Sequence, residues 1–304
     1  MEKPIDVAII GGGPAGLNAA LVLGRARRTV VVIDDGRPRN KVTREVHNFL
    51  TRDGIPPSEF RRIAREQMER YPHVGFVQDT AVNVTGADGD FRVTTEQGTF
   101  VRSKKLLFAL GMKDVPLPIE GLAEVYGISA FVCPYCDGWE HRDKPVALIA
   151  NGEGAMHAAK TIAGWTSTYV ICANGPAGLN EAQRRELMRR RIHVFESRIA
   201  RIESIEGQVQ RLVLADGTVV ACKAILFSPM LVAGSRLPQA LGCQVLESGA
   251  VLIDDIGRTN VPGVYSAGDV ATKLYQAVTA ASMGSIAAIG INSDLLDEAW
   301  VSDS

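Results

Sequence analysis

The sequence predicts an α/β fold built on parallel, doubly wound sheets. Short apolar runs that are typical of buried strands lead directly into glycine-containing turns at Val7–Ile10 and again at Val146–Ile149. Strands alternate with helical segments along the chain, which is the pattern of parallel sheets covered by helices. At about 100 to 200 residues per domain, a chain of 304 residues has room for two such domains.

The first strand and turn have the arrangement that binds a dinucleotide. Gly11 permits a tight turn, Gly13 lets the backbone approach a pyrophosphate, and Gly16 lets the following helix pack closely on the strand. That helix is predicted from about Pro14 to Gly24. Its N-terminus can bind an anion through free N–H groups and the helix dipole.

A second strand, Thr29–Ile33, ends in two acidic residues about twenty positions beyond the glycines. A carboxylate at that place accepts the ribose hydroxyls of a bound dinucleotide, and Asp34 is the better candidate of the two. The order of strand, glycines, helix, strand and acid is far more specific than a glycine motif alone. The binding candidates of this unit are Gly11, Gly13, Pro14, Ala15, Gly16 and Asp34.

Two cysteines separated by two residues, Cys133 and Cys136, predict dithiol–disulfide chemistry. Such a pair closes a small disulfide ring, and a neighbouring group that stabilises one thiolate produces the nucleophile that exchange needs. Asp137 follows at once and could carry the proton. The alternative is half of a zinc site, which needs a second Cys or His pair at suitable spacing. The other cysteines stand singly, at Cys172, Cys222 and Cys243.

The composition is that of a soluble enzyme, with 46% hydrophobic and 22% charged residues and a formal net charge of −1. Nothing in it indicates nucleic-acid binding. No uninterrupted apolar run reaches the roughly 18 residues of a membrane span, and the start of the chain has no basic leader. Five mostly scattered cysteines fit a reducing compartment. We therefore expect a cytoplasmic protein.

The far end of the chain resembles the second FAD motif of flavoproteins that bind two dinucleotides. The segment Thr259–Asp269 carries this resemblance, which implies that Asp269 binds the ribityl chain and that the next helix points at the flavin. Phe108–Gly111 is similar to the Ala-Thr-Gly strand end of that family, with Leu110 in place of Thr. The resemblance adds as FAD-binding candidates Asn48, Ala109, Gly111, Gly268, Asp269, Gln276 and Ala277.

Taken together, the motifs are similar to those of low-molecular-weight thioredoxin reductases, from residue 5 to about 295. The resemblance implies two Rossmann-like three-layer domains and a homodimer. The FAD-binding domain would be discontinuous, formed by residues 1–115 and 229–304. An NADPH-domain-like insert with the redox pair would occupy residues 116–228.

The family also implies roles for the redox residues. Cys136 would face the flavin and exchange electrons with it, Cys133 would attack the disulfide of the partner, and Asp137 would be the general acid and base. Related dithiol oxidases often have His where this chain has Asp137, so the Asp favours a thioredoxin-like protein as substrate. We expect His141 to be a surface residue rather than a participant in proton transfer.

The chain departs from the family where NADPH would bind. Ala150 replaces the first glycine of the second turn, and Glu153 places negative charge beside the expected pyrophosphate. The segment Cys172–Pro176 has no counterpart of the His-Arg-Arg run that holds the 2′-phosphate, and a missing charge-assisted hydrogen bond costs about 1.5 to 3 kcal/mol. We therefore expect that NADPH is not the donor. Later arginines are predicted to form a solvated helix face: Arg184, Arg185 and Arg189 to Arg191.

The donor and the substrate stay open at this stage. Reduced ferredoxin replaces NADPH in some divergent thioredoxin reductases, and Arg61, Arg62 and Arg65 could form a basic patch for it. One alternative function is a flavin-dependent dithiol oxidase that closes a disulfide in a small molecule with oxygen as acceptor. Another is a redox sensor without catalytic turnover. Trp300 near the end of the chain could cover the flavin, although packing on its own domain or disorder is favoured.

Overall fold

A computed structural model describes residues 3–302, with the backbone alone at Ser302. Eight α-helices lie in the described chain: α1 (Pro14–Arg25), α2 (Pro57–Met68), α3 (Leu122–Val125), α4 (Pro134–Asp137), α5 (Gly152–Ile162), α6 (Glu181–Arg189), α7 (Leu237–Ala240) and α8 (Ala277–Ser302). The described strands are β1 (Ile5–Ile10), β2 (Val30–Ile33), β3 (Val74–Val77), β4 (Ala81–Ala87), β5 (Asp90–Thr95), β6 (Phe100–Phe108), β7 (Met112–Val115), β8 (Ala130–Phe131), β9 (Val146–Ile149), β10 (Tyr169–Cys172), β11 (Val194–Phe195), β12 (Ile199–Ile205), β13 (Gln208–Leu214), β14 (Val219–Ala221), β15 (Ala224–Phe227), β16 (Met230–Ala233) and β17 (Val264–Ser266).

The chain divides into two compact units. Unit 1 contains the chain up to Lys41, Asn48–Asp114 and the chain from Leu231 onward, and unit 2 contains Val42–His47 and Val115–Met230. The predicted domain limits at 115 and 228 lie within two residues of the unit limits. The short segment Val42–His47, which the sequence division assigned to the first domain, clusters with unit 2.

The central sheet of unit 1 has the strand order β3-β2-β1-β6-β5-β4, and β17 pairs with β6. The neighbours β1, β2, β3, β6 and β17 run parallel, whereas β4, β5 and β6 form an antiparallel meander. The long strand β6 makes this possible because its first half pairs with β5 and its end pairs with β17. The sheet thus brings the ends of β1 and β17 to either side of the end of β6.

Helices α1 and α8 cover one face of this sheet in a shared apolar core. Their close approach depends on Gly284, because a Cβ there would lie 2.1 Å from the carbonyl oxygen of Ala15. Leu17 and Leu23 of α1 and Ile291 of α8 are at most 3% exposed in that core. A second apolar cluster lies around Phe91 and Phe108.

Unit 2 is built on a five-stranded parallel sheet with the order β11-β10-β9-β15-β8. Helices α5 and α6 contribute to one apolar cluster, with Met156, Ile162 and Leu187 buried. The antiparallel sheet β12-β13-β14 contributes to the other, with Ile202 and Leu212 buried. The strands of the parallel sheet are apolar along their whole length because both faces are covered.

The predicted α/β class is confirmed. Strand β9 has the predicted bounds, and α1 begins at the predicted proline. Helix α1 ends one residue later than predicted, and Arg27 follows in the left-handed region with a φ of 62°. Within residues 3–302, no helix combines the length and apolar character needed to cross a bilayer.

Candidate active site

The two predicted redox cysteines lie together on a single helical turn. Strand β8 leads into Cys133, which is the N-cap of α4, and Cys136 is the third residue of that helix. Pro134 at the first helical position favours this turn because its φ is preset and it has no N–H to leave unpaired. The two Sγ atoms lie 2.6 Å apart, so the thiols are placed to form and open a disulfide without rearranging the backbone.

The geometry makes Cys133 the more acidic thiol. A hydrogen bond from the Cys136 thiol is the largest influence that lowers the pKa of Cys133, and N–H groups of Cys136 and Tyr135 also point at its sulfur. Burial and the charge of Asp137 act in the opposite direction, and the pKa of Cys133 is lowered to about 7. A helix N-terminus stabilises a thiolate in this way. Cys133 is therefore placed to be the nucleophile.

The other three cysteines do not share this property. Cys172, Cys222 and Cys243 are buried, and burial raises the pKa of each thiol, to about 12 for the first two. Among the described residues, no group of three or more His, Cys, Asp or Glu side chains is arranged to hold a metal ion.

Asp137 ends the same helical turn and is the predicted proton carrier. Burial raises its pKa to about 6, while His47 lowers it and Glu140 raises it. A carboxyl group that titrates near neutral pH can both accept and return a proton under working conditions. Sequence reasoning did not find His47, because the motifs that it used do not include the loop before Asn48 and nothing in the sequence places that loop beside the redox helix.

The expectation that His141 lies on the surface is wrong. Its side chain is only 8% exposed and its ring stacks on Phe131, with 5.0 Å between the centroids and 10° between the planes. The chain after α4 turns inward through consecutive turn hydrogen bonds, which bury the ring. Burial lowers the pKa of His141 to about 4, so the ring is neutral at physiological pH. It is in contact with the core rather than placed at the thiols.

In unit 1, the glycines of the first turn form an open cradle. Gly11 has a φ of 112° and a Cβ there would lie 2.2 Å from the carbonyl oxygen of Ala109; a Cβ on Gly16 would lie 1.9 Å from the carbonyl oxygen of Gly11. Both positions therefore require glycine. A Cβ on Gly13 would have no neighbouring atom within 4 Å, and no side chain caps α1. Pro14, which has no N–H, begins that helix, so an anion would meet the backbone N–H groups of Ala15 and the residue after it.

Asp34 lies at the end of β2, as predicted, and is 9% exposed. Its Oδ1 accepts from the Gly12 N–H at 3.0 Å and its Oδ2 accepts from Arg65 at 3.1 Å. Arg61 lies 3.8 Å from the same oxygen. A carboxylate has about four acceptor sites, so capacity remains for ribose hydroxyls. The buried Nε atoms of Arg61 and Arg65 have no hydrogen-bond partner in the described structure, which fits a polar ligand at this place.

The expected basic patch of Arg61, Arg62 and Arg65 is not a free cationic surface. Arg61 and Arg65 face Asp34, and Arg62 pairs with Glu59 and with Glu66 of its own helix. Each of these arginines is thus matched by a carboxylate. Arg62 can reach both glutamates because residues three and four apart lie on one helix face.

The candidates from the second FAD motif are placed around the same cradle. Gly268 has a φ of 81°, and a Cβ there would lie 2.9 Å from the Cβ of Ala15. Asp269 begins the next turn. Burial and the charge of Asp114 raise its pKa to about 6, whereas Arg39, whose guanidinium lies 3.9 Å away, acts to lower it. Gly111, between β6 and β7, has a φ of 62° and open space at its Cβ position.

Three further candidates lie in unit 1. Gln276 precedes α8 rather than lying within it, and Ala277 is the first residue of that helix. Asn48 is exposed with a φ of 62°, and its N–H donates to Asp53 at 2.8 Å. Unit 1 therefore contains every FAD candidate, and unit 2 contains Cys133, Cys136 and Asp137.

The second strand–turn–helix unit differs from the first because its own chain covers the turn. The N–H of Gly152, at the start of α5, donates to the carbonyl of Ala177 at 2.7 Å. Ala177 is fully buried, and its N–H donates to Glu196 at 2.8 Å. Gln183 donates to Glu153 at 2.5 Å. The loop between β10 and α6 is thus fixed against the first turn of α5.

Two other features of this region bear on the sequence predictions. Asn174, at the place of the missing cationic run, uses its side chain to accept the N–H of Ile199 at 2.8 Å. Later arginines pair with carboxylates on exposed faces, as Arg184 does with Glu196. The prediction of a solvated arginine face is therefore confirmed for this residue.

A scan against protein families matches residues 5–284 to the family described as pyridine nucleotide-disulphide oxidoreductase. The chain belongs to this family. The thioredoxin reductase AclD of Aspergillus oryzae is 31% identical over 310 residues, which cover 97% of this chain and 98% of that protein.

Solved structures of this family support the same assignment. A protein from Bacillus anthracis provisionally named thioredoxin reductase TrxB has a TM-score of 0.92 at 37% identity, covering 97% of this chain and 99% of that chain. The crystal structure of HlmI has a TM-score of 0.93 at 34% identity, covering 99% and 95%. This pyridine nucleotide-disulphide oxidoreductase is a thioredoxin-reductase-like flavoprotein enzyme.

Proposed function

We propose that the protein is an FAD-dependent oxidoreductase that passes electrons through Cys136 and Cys133 to the disulfide of a thioredoxin-like protein, and that NADPH is not its donor. The observation that carries the reaction is the pair of thiols on α4, with the Cys133 sulfur stabilised at the helix N-terminus. The loop that covers the second turn supports the proposal about the donor.

The cradle of unit 1 fits FAD. Gly13 and the start of α1 would face the pyrophosphate, Asp34 would accept from the adenosine ribose, and Asp269 would bind the ribityl chain. Asn48, Ala109, Gly111, Gln276 and Ala277 remain proposed contacts of the same cofactor. When bound, FAD would exchange two electrons with the Cys133–Cys136 pair.

The chemistry on the protein side is two thiol–disulfide exchanges. The Cys133 thiolate attacks one sulfur of the substrate disulfide, whose S–S bond breaks as the mixed disulfide forms. The Cys136 thiolate then attacks Cys133, releasing the second substrate thiol and leaving the Cys133–Cys136 disulfide. Asp137 takes the proton from Cys136 and returns it to the departing thiolate. When bound, reduced FAD would supply the two electrons that, together with two protons, return this disulfide to the dithiol.

The substrate side also has specific features. Tyr135 lies between the two cysteines with 63% of its surface exposed, and Trp139, on the next turn, is 65% exposed. Both rings belong to the chain segment that carries the nucleophile, which a partner protein must approach. They support a substrate that presents an apolar surface around its disulfide.

Closure of the second turn opposes NADPH in three ways. The Gly152 N–H, which would meet a pyrophosphate, is already bonded to Ala177. Glu153 adds negative charge at the same helix start. Asn174 is engaged by Ile199 and provides no cation for a 2′-phosphate. A nucleotide would have to displace the loop before it could form any of its own bonds.

The deciding experiment is an anaerobic titration of the oxidised flavoprotein with NADPH, NADH and reduced ferredoxin in turn. We expect NADPH at sub-millimolar concentration to leave the flavin absorbance near 450 nm almost unchanged, a ceiling set roughly by ordinary cofactor KM values. Rapid bleaching by NADPH would refute the proposal on the donor. Because the arginine patch is neutralised, ferredoxin as donor rests on the family resemblance alone.

A second assay separates the alternatives for the acceptor. Turnover of a thioredoxin disulfide by the reduced enzyme supports the proposed function. Oxygen-dependent closure of small dithiols would instead identify a dithiol oxidase, and a redox-dependent complex without turnover would identify a sensor. A cytoplasmic location stays a prediction.

The proposed homodimer is supported by the outward face of α8. Apolar residues predominate in this helix, and one stripe of them remains exposed. The exposed apolar residues of this stripe are Val278, Ile286, Ile289, Leu296 and Trp300. An exposed apolar stripe of this kind marks a surface that another protein chain covers, and a second copy of the chain is the proposed cover.

A further inference from the structure

Two arginines of α2 lie beside the carboxylate at the end of β2. Arg61 and Arg65 are four residues apart, so they share one face of the helix. The Nη2 atom of Arg65 lies 3.1 Å from Oδ2 of Asp34, and the Nη1 atom of Arg61 lies 3.8 Å from the same oxygen. The guanidinium of Arg65 also lies over the ring of Phe76, 5.2 Å from its centroid. These contacts fix both side chains next to Asp34.

Asp34 in turn lies directly on the glycine turn. Its Oδ1 accepts the Gly12 N–H at 3.0 Å, and a Cβ at position 12 would lie 2.6 Å from the carboxylate carbon. Glycine at this position therefore lets the carboxylate lie on the backbone of the turn. The two arginines, the carboxylate and the turn form one packed cluster, all of it within unit 1.

The Nε–H groups of Arg61 and Arg65 are the unexplained part of this cluster. Both Nε atoms are buried, and neither has a hydrogen-bond partner in the described structure. The contacts to Asp34 use the terminal Nη atoms and leave the Nε atoms unpaired. A buried donor in a native protein is almost always paired with the protein, with water or with a ligand. Two such donors beside a ribose-binding carboxylate favour a ligand that offers acceptors there.

We propose that Arg61 and Arg65 are specificity-determining contacts for the adenosine of the cofactor, with both Nε–H groups donating to its ring nitrogens or ribose oxygens. The inference rests on the proposed binding of FAD in the cradle of unit 1. Ribose hydroxyls both donate and accept, whereas an ionised carboxylate only accepts and a guanidinium only donates. Asp34 and the arginines thus complement each other around one nucleoside.

The test replaces each arginine by lysine, which keeps the positive charge and can still pair with Asp34 but has no Nε–H donor. The dissociation constant of FAD from the full-length holoenzyme is measured by the rise in flavin fluorescence on dilution. Arg61→Lys and Arg65→Lys should each raise this constant about 10-fold, as expected for the loss of one charge-assisted hydrogen bond. Circular dichroism of each apoprotein confirms that the variant is folded.

Arg62 provides the matched control. It lies on the same helix, but it is exposed and pairs with Glu59 and Glu66. Arg62→Lys should therefore leave the dissociation constant of FAD unchanged.

A second measurement locates the effect on the cofactor. ADP contains the adenosine and the pyrophosphate but no flavin, and its dissociation constant for the full-length apoprotein is obtained by calorimetry. This constant should rise by the same factor as that of FAD in Arg61→Lys and Arg65→Lys. Inorganic pyrophosphate, used as a competitor of ADP, should bind these variants no less tightly than it binds the wild type.

Unchanged ADP binding in either variant would show that its Nε–H meets only water, and would overturn the assignment of that residue. An equal loss in Arg62→Lys, or weaker binding of pyrophosphate, would overturn the proposal by attributing the effect to general charge or to the phosphates. The proposed function fails in other ways. A purified protein without flavin would refute the cofactor, and a holoenzyme that binds FAD but does not reduce thioredoxin would refute the reaction.

Discussion

The acidity of Cys133 should depend chiefly on a single neighbour, Cys136. The hydrogen bond from the Cys136 thiol is the largest influence that lowers the pKa of Cys133 from 9.0 to about 7. Cys136→Ala removes that donor, whereas Cys136→Ser retains an O–H in nearly the same position. The first variant should therefore lose acidity at Cys133 that the second keeps.

The size of the effect follows from the two pKa values. At pH 7 a thiol with a pKa of about 7 is about half thiolate, and one with a pKa of 9.0 is about 1% thiolate, a difference of roughly 50-fold. A more basic thiolate is intrinsically more nucleophilic by about 6-fold to 10-fold over two pH units. The net loss of rate in Cys136→Ala is then at most about 5-fold to 8-fold, since the N–H groups of α4 remain.

The assay is the reaction of the reduced variants with a small aliphatic disulfide, quantified as the mixed disulfide on Cys133 by mass spectrometry. The rate should rise with pH as Cys133 loses its proton near pH 7. In Cys136→Ala the midpoint of this rise should move upward. Equal midpoints and equal rates at pH 7 in the Ala and Ser variants would refute the assignment of the hydrogen bond.

Three further predictions concern unit 1. If the indole of Trp300 covers the flavin, Trp300→Ala should raise flavin fluorescence and speed reoxidation of the flavin by oxygen. No change in either would exclude this role of the indole. A point variant is preferred to truncation at residue 298, because Glu298 pairs with Lys105. Lys105→Met should lower the midpoint of urea unfolding, because Lys105 is 1% exposed and its loss leaves Asp88 and Glu298 unpaired; an unchanged midpoint would count against this. Ile289→Asp should convert the proposed dimer to a monomer in light scattering, and a dimer that persists would place the interface elsewhere.

The C-terminal segment around Trp300 is one place where the structure differs from the sequence-based expectation. Chain ends usually fray, so the sequence favours a Trp300 that is loose or packed on its own domain. Instead α8 continues to Ser302 and Trp300 is 84% exposed, while Asp303 and Ser304 lie outside the described residues. The ion pair of Glu298 with Lys105 connects two residues 193 positions apart, and no local pattern indicates such a contact.

The parts of the site that could be predicted share one physical property, which is that their chemistry depends on local spacing. The turn at Gly11–Gly16 and the pair Cys133 and Cys136 each lie within one turn of chain, so the sequence places their atoms. His141 lies next to these motifs, yet its burial depends on contact with Phe131, and the sequence-based expectation for it was wrong.

The missed parts are long-range contacts that alter a local motif. The second turn, from Ala150 to Gly154, differs from a nucleotide-binding turn by few residues, but its closure depends on Ala177 from a separate loop. The same holds at the redox helix, where His47 comes from a segment about ninety residues earlier. In both places the motif alone determines which chemistry is possible. A distant carbonyl then engages the N–H of Gly152, and a distant side chain shifts the pKa of Asp137. Residues that act through such contacts can be identified from a structure. Substitutions at these residues test the proposed chemistry more directly than substitutions within the motifs.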